Sequence, residues 1–249
     1  MSLTDEELTR YSRQLVLPQI GGQGQQRLKA ASVCVVGAGG IGCAVIPALA
    51  GAGIGRLTII DGDAVDLSNL HRQPLYRSRE IGEPKAALAA QFVRRFNPFV
   101  ELRPVEQRVE PGKADALLSG HDLILDGTDN FATRLLVSDT AIHLGIPLLS
   151  AAAAQFQGQV ALWRGRPCYR CFVGEAFDAD DCDNCAELGV LGALTGTVGN
   201  FAALLAIRVL AGAGDDPAGK LHLFDGLRGE WRTIRLPADP RCKACGSES

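Results

Sequence analysis

A glycine-rich turn, an aspartate and two cations follow one another in the first part of the chain with the spacing of a nucleotide site. The turn occupies residues 37–42, Asp61 comes about 20 residues later, and Arg72 and Lys85 lie beyond it. Glycines at a strand-to-helix turn let backbone N–H groups approach a phosphate, and an aspartate at the next strand end can accept hydrogen bonds from ribose hydroxyls. The pattern predicts a bound nucleotide, although Asp61 alone would also suit a capping or turn position.

Arg72 and Lys85 favour a triphosphate over the diphosphate bridge of a dinucleotide cofactor. Backbone N–H groups can hold much of a diphosphate, whereas a triphosphate usually needs cationic side chains and a metal. Lys85 follows Pro84 at a predicted helix start, where a lysine opposes the helix dipole. A nearby anionic ligand would remove that mismatch, although each cation taken alone could be a solvated surface charge.

Six of the eight cysteines form three C-x-x-C pairs: Cys168/Cys171, Cys182/Cys185 and Cys242/Cys245. Disulfides are rare in cytosolic proteins, and two such pairs make a closed, structural zinc site. Three pairs leave three ways to choose two. The acidic residues around Cys182 and Cys185 argue against a strongly activated thiolate there. Cys34 and Cys43 lie in apolar surroundings, which predicts that they pack as small hydrophobic side chains.

Short apolar runs alternate with helical segments in the first 150 residues, as in a Rossmann-like, doubly wound, mostly parallel α/β sheet. The predicted strands are 32–36, 56–60, 100–105, 122–125 and 147–150. Later runs predict antiparallel strands that continue the sheet, at 157–164, 220–224 and 230–236. Ligands of such sheets bind beyond the strand C-termini, where the glycine turn, Asp61 and Asp129 all fall.

Composition and charge exclude some classes of function. The net charge is −3, and the chain is 47% hydrophobic and 21% charged, so no basic excess points to nucleic acid or a membrane surface. Residues 190–212 are apolar and long enough to span a bilayer, but they include Asn200 and Arg208, which favours a buried helix. The acidic start of the chain lacks the apolar core of a secretory signal, so we expect a cytoplasmic protein.

Taken together, the motifs resemble those of the MoeB/ThiF/HesA family of adenylyltransferases, which are related to ubiquitin-activating enzymes. The matching segments are Gly37-x-Gly-Gly-x-Gly42, Asp61-x-Asp63, Ser68-Asn69-Leu70-x-Arg72-Gln73, Gly82-x-Pro84-Lys85 and Thr128-Asp129-Asn130. Residues 10–14 and the paired cysteines also match, so the resemblance spans nearly the whole chain.

The resemblance implies a role for each matching residue. Asp61 would bind the ATP ribose, Lys85 would contact the polyphosphate, and Asp129 would hold Mg²⁺ with Asn130 beside it. Arg13 would reach the ATP of a neighbouring subunit, which implies a homodimer. The segment Ser68, Asn69, Leu70, His71 and Arg72 would line the nucleotide, with Gly40 at the close backbone approach. His71 replaces a glutamine common in the family, and we assign it no chemistry of its own.

The resemblance also selects among the cysteines. Cys168, Cys171, Cys242 and Cys245 match the family's zinc ligands, and such a site would anchor the C-terminal tail. Cys185 matches a cysteine that in some members forms a covalent link with the carrier. We therefore expect a catalytic set of Arg13, Arg72, Lys85, Asp129 and Cys185.

The implied reaction joins two anions. The C-terminal glycine carboxylate of a ubiquitin-like sulfur-carrier protein attacks the α-phosphorus of ATP, and pyrophosphate leaves. The acyl-adenylate would serve sulfur transfer in molybdopterin or thiamine biosynthesis. The chain ends four residues after Cys245, so we expect a separate sulfur donor.

We expect one adenylation domain over residues 1–249. It would comprise an N-terminal helical arm (1–30), a nucleotide-binding half (31–150) and a carrier-binding half (151–249). The last part would include the zinc site and a mobile crossover loop (172–190).

Three other functions compete with this one. An NAD-dependent oxidoreductase would explain the glycine turn and Asp61, but it leaves Arg72, Lys85, Asp129 and the cysteine pairs without roles. A non-catalytic dimeric adaptor would not need the full set of polar residues. A related branch that dehydrates a modified tRNA base fits the acidic charge and the cysteine pairs less well.

Overall fold

The computed structural model of the chain describes residues 2–174 and 189–246. The predictions for Cys182 and Cys185, and most of the predicted crossover loop, concern residues outside these ranges. The α-helices are α1 (Asp5–Arg10), α2 (Ser12–Leu15), α3 (Gly21–Ala30), α4 (Gly42–Ala52), α5 (Lys85–Phe96), α6 (Ala114–Leu118), α7 (Phe131–Leu144), α8 (Tyr169–Val173) and α9 (Gly192–Ala211). Short 3-10 helices occur at Leu67–Asn69 and Ser78–Glu80.

The described strands form one sheet of eight, in the order β3-β2-β1-β4-β5-β6-β7-β8. They are β1 (Ser32–Val36), β2 (Arg56–Ile60), β3 (Glu101–Val105), β4 (Leu123–Asp126), β5 (Leu148–Ala154), β6 (Gln157–Trp163), β7 (Lys220–Asp225) and β8 (Glu230–Arg235). Strands β1 to β5 are parallel to one another, whereas β6, β7 and β8 are added antiparallel, starting with β6 against β5. The predicted fold class is therefore confirmed.

The sheet is covered on both faces, which explains why its central strands are mostly apolar. Every residue of β1 is buried. One face packs against α3, α4, α5 and α9, in a core that contains Ile46, Leu49 and Val198. The other face carries α6, α7 and α8, with Trp163 and Leu118 in its core. A buried strand with helices on both sides places its C-terminal end, and the loop that follows, in a fixed position.

Helix α9 is long and apolar enough to cross a membrane, with a mean hydropathy of 1.5 over its most apolar stretch. It lies instead against α4 and the strands β5 and β6, with Leu194, Val198 and Leu205 in the core. Leu204, on its outer side, is 52% exposed. The prediction of a buried core helix is confirmed.

The N-terminal arm is fixed at the C-terminal end of α4. Thr4 and Glu7 form a capping box that starts α1. The Tyr11 ring is buried, and its hydroxyl accepts a hydrogen bond from Asn97 Nδ2 at 2.8 Å. Gln14 Nε2 donates to the carbonyl of Ala52, the last residue of α4. The arm therefore lies at the opposite end of α4 from the glycine turn.

Candidate nucleotide site and cysteine cluster

The glycine turn joins β1 to α4 and packs closely against its neighbours. Gly37 has φ +91°, and a side chain there would come within 3.2 Å of the Gly127 backbone after β4. A Cβ at Gly40 would approach Thr195 of α9 to 3.0 Å. Tyr76 completes the enclosure, because its hydroxyl donates to the Ala38 carbonyl at 2.7 Å. Gly40 therefore has a packing reason to be glycine, besides the close approach to a nucleotide that we expected.

Asp61 lies at the C-terminal end of β2, beside the glycine turn. Its carboxylate accepts hydrogen bonds from the N–H groups of Ala38 at 2.7 Å and Asp63 at 2.8 Å. Burial raises the pKa of Asp61, and these two hydrogen bonds offset part of that rise. Asp61 thus fixes the turn, and the carboxylate's remaining lone pairs are the ones that a ribose could use.

Lys85, Asp63 and Arg108 form a charge cluster next to Asp61. Lys85 is 4% exposed, and its ammonium lies 3.4 Å from Asp63 Oδ2. Arg108 Nη2 lies 2.9 Å from the other oxygen of Asp63. Burial raises the pKa of Asp63, but the Arg108 hydrogen bond and the Lys85 charge outweigh it and hold this pKa below its ordinary value. Lys85 is thus a nearly buried cation whose ion pair with Asp63 is long.

Sequence reasoning missed Arg108, which follows the end of β3 at the same edge of the sheet. Its stem lies over Gly62, since a Cβ there would come within 2.7 Å of Arg108 Cγ. The hydrogen bond to Asp63, and the charges of Asp61 and Asp129, raise the pKa of Arg108. Its position just past a strand end was the signal that could have identified it.

The loop at residues 66–72 is held by its own polar groups. Ser68 Oγ donates to Asp66 Oδ1 at 2.6 Å, and Asn69 Nδ2 donates to Ser68 Oγ at 3.0 Å. Arg72 Nη1 donates to the Ser68 carbonyl at 3.1 Å and lies 2.9 Å from His71 Nε2. These bonds fold the half-buried Arg72 back onto the loop.

The end of β4 supplies the second acidic position. Asp126 is buried and accepts hydrogen bonds from the Thr128 N–H at 2.9 Å and the Thr128 hydroxyl at 2.8 Å. Burial raises the pKa of Asp126, and the charge of Arg134 offsets part of that rise. Asn130 Oδ1 accepts from the Thr133 N–H at 2.8 Å and so caps α7. Asp129, between these anchored residues, is exposed.

The sheet order brings the ends of β1, β2 and β4 together, because β1 lies between the other two. Val36 is paired with Ile60 on one side and with Asp126 on the other. Asp61 and Asp129 therefore flank the glycine turn, as predicted. Arg13 does not join them, since α2 lies at the far end of α4.

Four of the cysteines predicted to bind metal lie together. The sulfur atoms of Cys168, Cys171, Cys242 and Cys245 are all within 4.8 Å of one another. The sulfur atoms of Cys171 and Cys245 are 3.4 Å apart, and those of Cys168 and Cys242 are 3.6 Å apart. Four thiolates about 2.3 Å from one zinc ion would be about 3.8 Å apart, so the cluster is compatible with a tetrahedral metal site.

The cluster is attached to α7, the helix that follows Asp129. Arg170, between the first two cysteines, makes two hydrogen bonds of 2.7 Å to the Asp139 carboxylate. Tyr169 packs near Phe131 at the first turn of α7, with ring centroids 6.4 Å apart. The cysteine cluster and the loop at Asp129 thus share one rigid support.

Cys34 and Cys43 are buried, as expected for packing residues. Burial raises the pKa of each thiol to about 12. Neither thiol is therefore a nucleophile near neutral pH.

Comparisons with known proteins identify the chain's relatives. The family model described as ThiF family matches residues 11–244. The sulfur carrier protein adenylyltransferase of Thermus thermophilus is 44% identical over 100% of this chain and 94% of its own length. The molybdopterin-synthase adenylyltransferase of Salmonella typhimurium is 38% identical over 98% of each chain. Bovine adenylyltransferase and sulfurtransferase MOCS3 is 47% identical, but the chain covers only 54% of it.

Solved structures with low sequence identity share the fold. The crystal structure of Escherichia coli MccB with ATP has a TM-score of 0.83 at 20% identity, over 96% of this chain and 75% of that one. The structure of PaaA has a TM-score of 0.79 at 22% identity, over 94% and 75%. Because its relatives are named adenylyltransferases over the whole of this chain, the protein is an adenylyltransferase. By the extent of the family match and the identity to these relatives, the chain belongs to the ThiF family.

Proposed function

We propose that the protein adenylylates the C-terminal glycine carboxylate of a ubiquitin-fold sulfur-carrier protein and prepares it for sulfur transfer. The observation that carries this is the meeting of Asp61, Lys85 and Asp129 around one glycine turn, in a chain whose relatives are named for this activity. The alternative of an NAD-dependent oxidoreductase is set aside, because a dinucleotide gives a nearly buried lysine no role at this place.

The nucleotide roles follow from position. Asp61 binds the ribose, and Arg72 and Lys85 bind the polyphosphate, with Ser68 and Asn69 along the phosphates. Leu70 and His71 belong to the same loop and line the nucleotide, as the resemblance implies. Lys85 is well suited to its role, because its 3.4 Å contact with Asp63 is long enough for a phosphate to compete with.

A magnesium ion fits the loop after β4. Asp129 is an exposed carboxylate and offers the hard oxygen donors that Mg²⁺ prefers. Asn130 lies beside it, with its side-chain oxygen engaged in the cap of α7. When bound, the ion neutralises phosphate charge and supports departure of pyrophosphate.

The reaction needs charge neutralisation more than proton transfer. A carboxylate is already ionised at neutral pH, so no general base is required. Its attack brings a negative group towards a triphosphate, and Arg72 and Lys85 lower that repulsion. The carboxyl oxygen forms a bond to the α-phosphorus as the bond to pyrophosphate breaks.

Zinc is the metal that we assign to Cys168, Cys171, Cys242 and Cys245. Four sulfur donors with no open position are typical of structural zinc. Burial raises the pKa of Cys168 to about 11, so a cation is needed to hold it as a thiolate.

We also propose a homodimer in which Arg13 serves the partner's site. Support comes from the arm, where Arg13 is exposed and Val16 and Leu17 are 74% and 47% exposed. We place the carrier against the second half of the chain, where Trp231 is 40% exposed. Its ring packs at a tilt against Phe201 and Phe224, with ring centroids 4.3 and 4.8 Å apart. A cytoplasmic location, the single-domain division, the separate sulfur donor and the role of Cys185 stay predictions.

Carrier-dependent exchange of pyrophosphate into ATP tests this function. The purified protein is mixed with small carriers that end in Gly-Gly, of the molybdopterin type and of the thiamine type, and the carrier that supports exchange identifies the pathway. Asp129→Ala is expected to abolish the exchange, because the proposed magnesium ligand is lost. Asp115→Ala, another exposed aspartate, is the matched control and retains it. Near-normal exchange in Asp129→Ala would falsify the metal assignment.

A further inference from the structure

Gln73 is a buried amide beside the proposed phosphate loop, and the nucleotide roles above leave it unused. It is 3% exposed, and its Nε2 donates to Asn69 Oδ1 at 3.1 Å. Its head group lies beside the glycine turn, because a Cβ at Gly39 would be 3.6 Å from Gln73 Nε2. Within residues 2–174 and 189–246, Gln73 Oε1 is buried without a hydrogen-bond partner. A buried amide oxygen without a hydrogen-bond partner destabilises the fold, so a functional role would explain its position.

Two neighbours agree on which end of the Asn69 amide points inward. The Ser68 hydroxyl gives its one hydrogen to Asp66, so Ser68 can only accept from Asn69, and Gln73 binds the other end of the amide. An amide has a donor end and an acceptor end, and Gln73 engages the acceptor. Asn69 Nδ2 must then face the other way, where it donates to Ser68 Oγ, and Ser68 donates onward to Asp66. All three bonds therefore run in one direction, from buried Gln73 to an exposed carboxylate.

This direction decides what Asn69 offers to a ligand. Nδ2 carries two hydrogens, and Ser68 takes one of them. The other has no acceptor among the residues that the structure describes. We propose that Gln73 is a positioning residue, which holds Asn69 with an N–H donor rather than a carbonyl towards the phosphates of the nucleotide. This inference rests on the proposed nucleotide site.

Reversing the polarity of Gln73 tests the proposal. In Gln73→Glu the ionised carboxylate accepts but cannot donate, so Asn69 has to rotate and turns its carbonyl towards the phosphates. Loss of a charge-assisted hydrogen bond and the new repulsion predict a Kd for ATP about tenfold to a hundredfold higher. The KM for ATP should rise with it, while kcat changes little.

A pH profile separates positioning from simple structural damage. A buried carboxyl group has a raised pKa and titrates closer to neutral pH. Once protonated, the carboxyl introduced by Gln73→Glu donates a hydrogen bond again, so the ATP affinity of this variant should recover as the pH falls from about 8.5 to about 5.5. Gln91→Glu, the same change at an exposed position of α5, should follow the wild-type profile.

Two more variants keep the result interpretable. Gln73→Met keeps the size but removes donor and charge, and it should weaken ATP binding about threefold or more at every pH, without recovery at low pH. Asn69→Ala tests the site itself. If Asn69→Ala binds ATP as tightly as wild type, the proposed site is wrong. If Asn69→Ala weakens binding but Gln73→Glu and Gln73→Met do not, the positioning role alone is overturned.

Discussion

At the scale of single residues, Lys85 contributes little to stability but suits the catalytic role that we propose for it. Its ammonium is nearly buried, yet its contact with Asp63 is long. A buried cation with a weak partner contributes little to folding, because desolvation offsets the attraction. The same ammonium is already stripped of water where we place the polyphosphate, so its effect on phosphate charge is strong.

We therefore predict that Lys85→Met separates activity from stability. The rate of adenylylation should fall about a hundredfold or more, whereas the thermal unfolding temperature should stay unchanged or rise. Lys113→Met is the matched control, since Lys113 forms a surface ion pair with Glu110 at 2.8 Å. Pre-steady-state adenylate formation and calorimetry measure the two quantities. A joint loss of both in Lys85→Met would assign the lysine a structural role.

Individual residues also show which parts of the candidate site could be predicted from the sequence and which could not. Asp61, Lys85 and Asp129 were predicted because they stand at strand or helix ends within known spacings. Asp126 and Arg108 were missed. The role of Asp126 depends on its burial at the end of β4, which a strand pattern does not give for its last residue, and the role of Arg108 depends on a neighbour distant in sequence. Arg108 lies 45 positions from its partner Asp63.

At the scale of elements, the sheet was predictable where hydrophobic runs are β-branched and less so elsewhere. Strand β5 was predicted to end at Ser150 but continues to Ala154. Four alanines carry no strand signal, and their conformation is set by pairing with β6, as in Ala151 opposite Val160. Helix α8 was missed because five residues give too short a period to recognise.

The capping box at the start of α1 predicts a pH dependence of stability. Glu7 is 2% exposed, and its carboxylate lies 2.6 Å from Lys29 Nζ. Burial raises the pKa of Glu7, but the bonds from Lys29 and Thr4 outweigh it and lower this pKa below 4.5. Since the folded-state pKa is the lower one, the interaction stabilises the fold at pH values above the unfolded pKa. It is lost as the pH falls through the folded-state pKa.

Glu7→Gln is therefore expected to lower stability near pH 7 by about 1–3 kcal/mol, with little effect once the wild-type carboxylate is protonated. Denaturant unfolding of both proteins, from neutral pH down to about pH 3, measures this difference. Glu110→Gln is the control, because Glu110 is exposed and its ion pair should contribute little. A difference between Glu7→Gln and wild type that stays constant with pH would contradict the assignment.

The cysteine cluster predicts a metal content. A double variant, Cys182→Ser with Cys185→Ser, should keep one zinc per chain, because the four clustered sulfurs come from other residues. Cys242→Ser should lose the zinc and unfold at a lower temperature, since a structural zinc site can contribute on the order of 10 kcal/mol. Elemental analysis of the purified proteins measures the zinc content of each variant and so shows which C-x-x-C pairs bind the metal. Zinc loss in the double variant would refute the choice of ligands.

At the scale of the whole molecule, one sheet combines two kinds of construction. The parallel strands β1 to β5 gather their loops at one edge, where the proposed nucleotide lies. The antiparallel strands β6 to β8 extend the same sheet away from it. The parallel and the antiparallel part of the sheet were both predictable, because strands alternate with helices up to about residue 150 and strand-like runs follow with a hairpin pattern after it. The distance between the arm and the site was not, because it depends on where Tyr11 and Gln14 pack against the end of α4.

The distance between the arm and the site of the same chain predicts that two inactive variants can restore activity in a mixed dimer. Helix α4 has 11 residues and so is about 16 Å long, which keeps Arg13 away from the site of its own chain. In the proposed dimer, Arg13→Ala damages the partner's site, whereas Lys85→Met damages its own. Two inactive chains should therefore complement each other when unfolded together and refolded. Random pairing makes half of the dimers mixed, each with one intact site, so about a quarter of wild-type activity should return. Either variant refolded alone should stay inactive, and no recovery in the mixture would place Arg13 outside the partner's site.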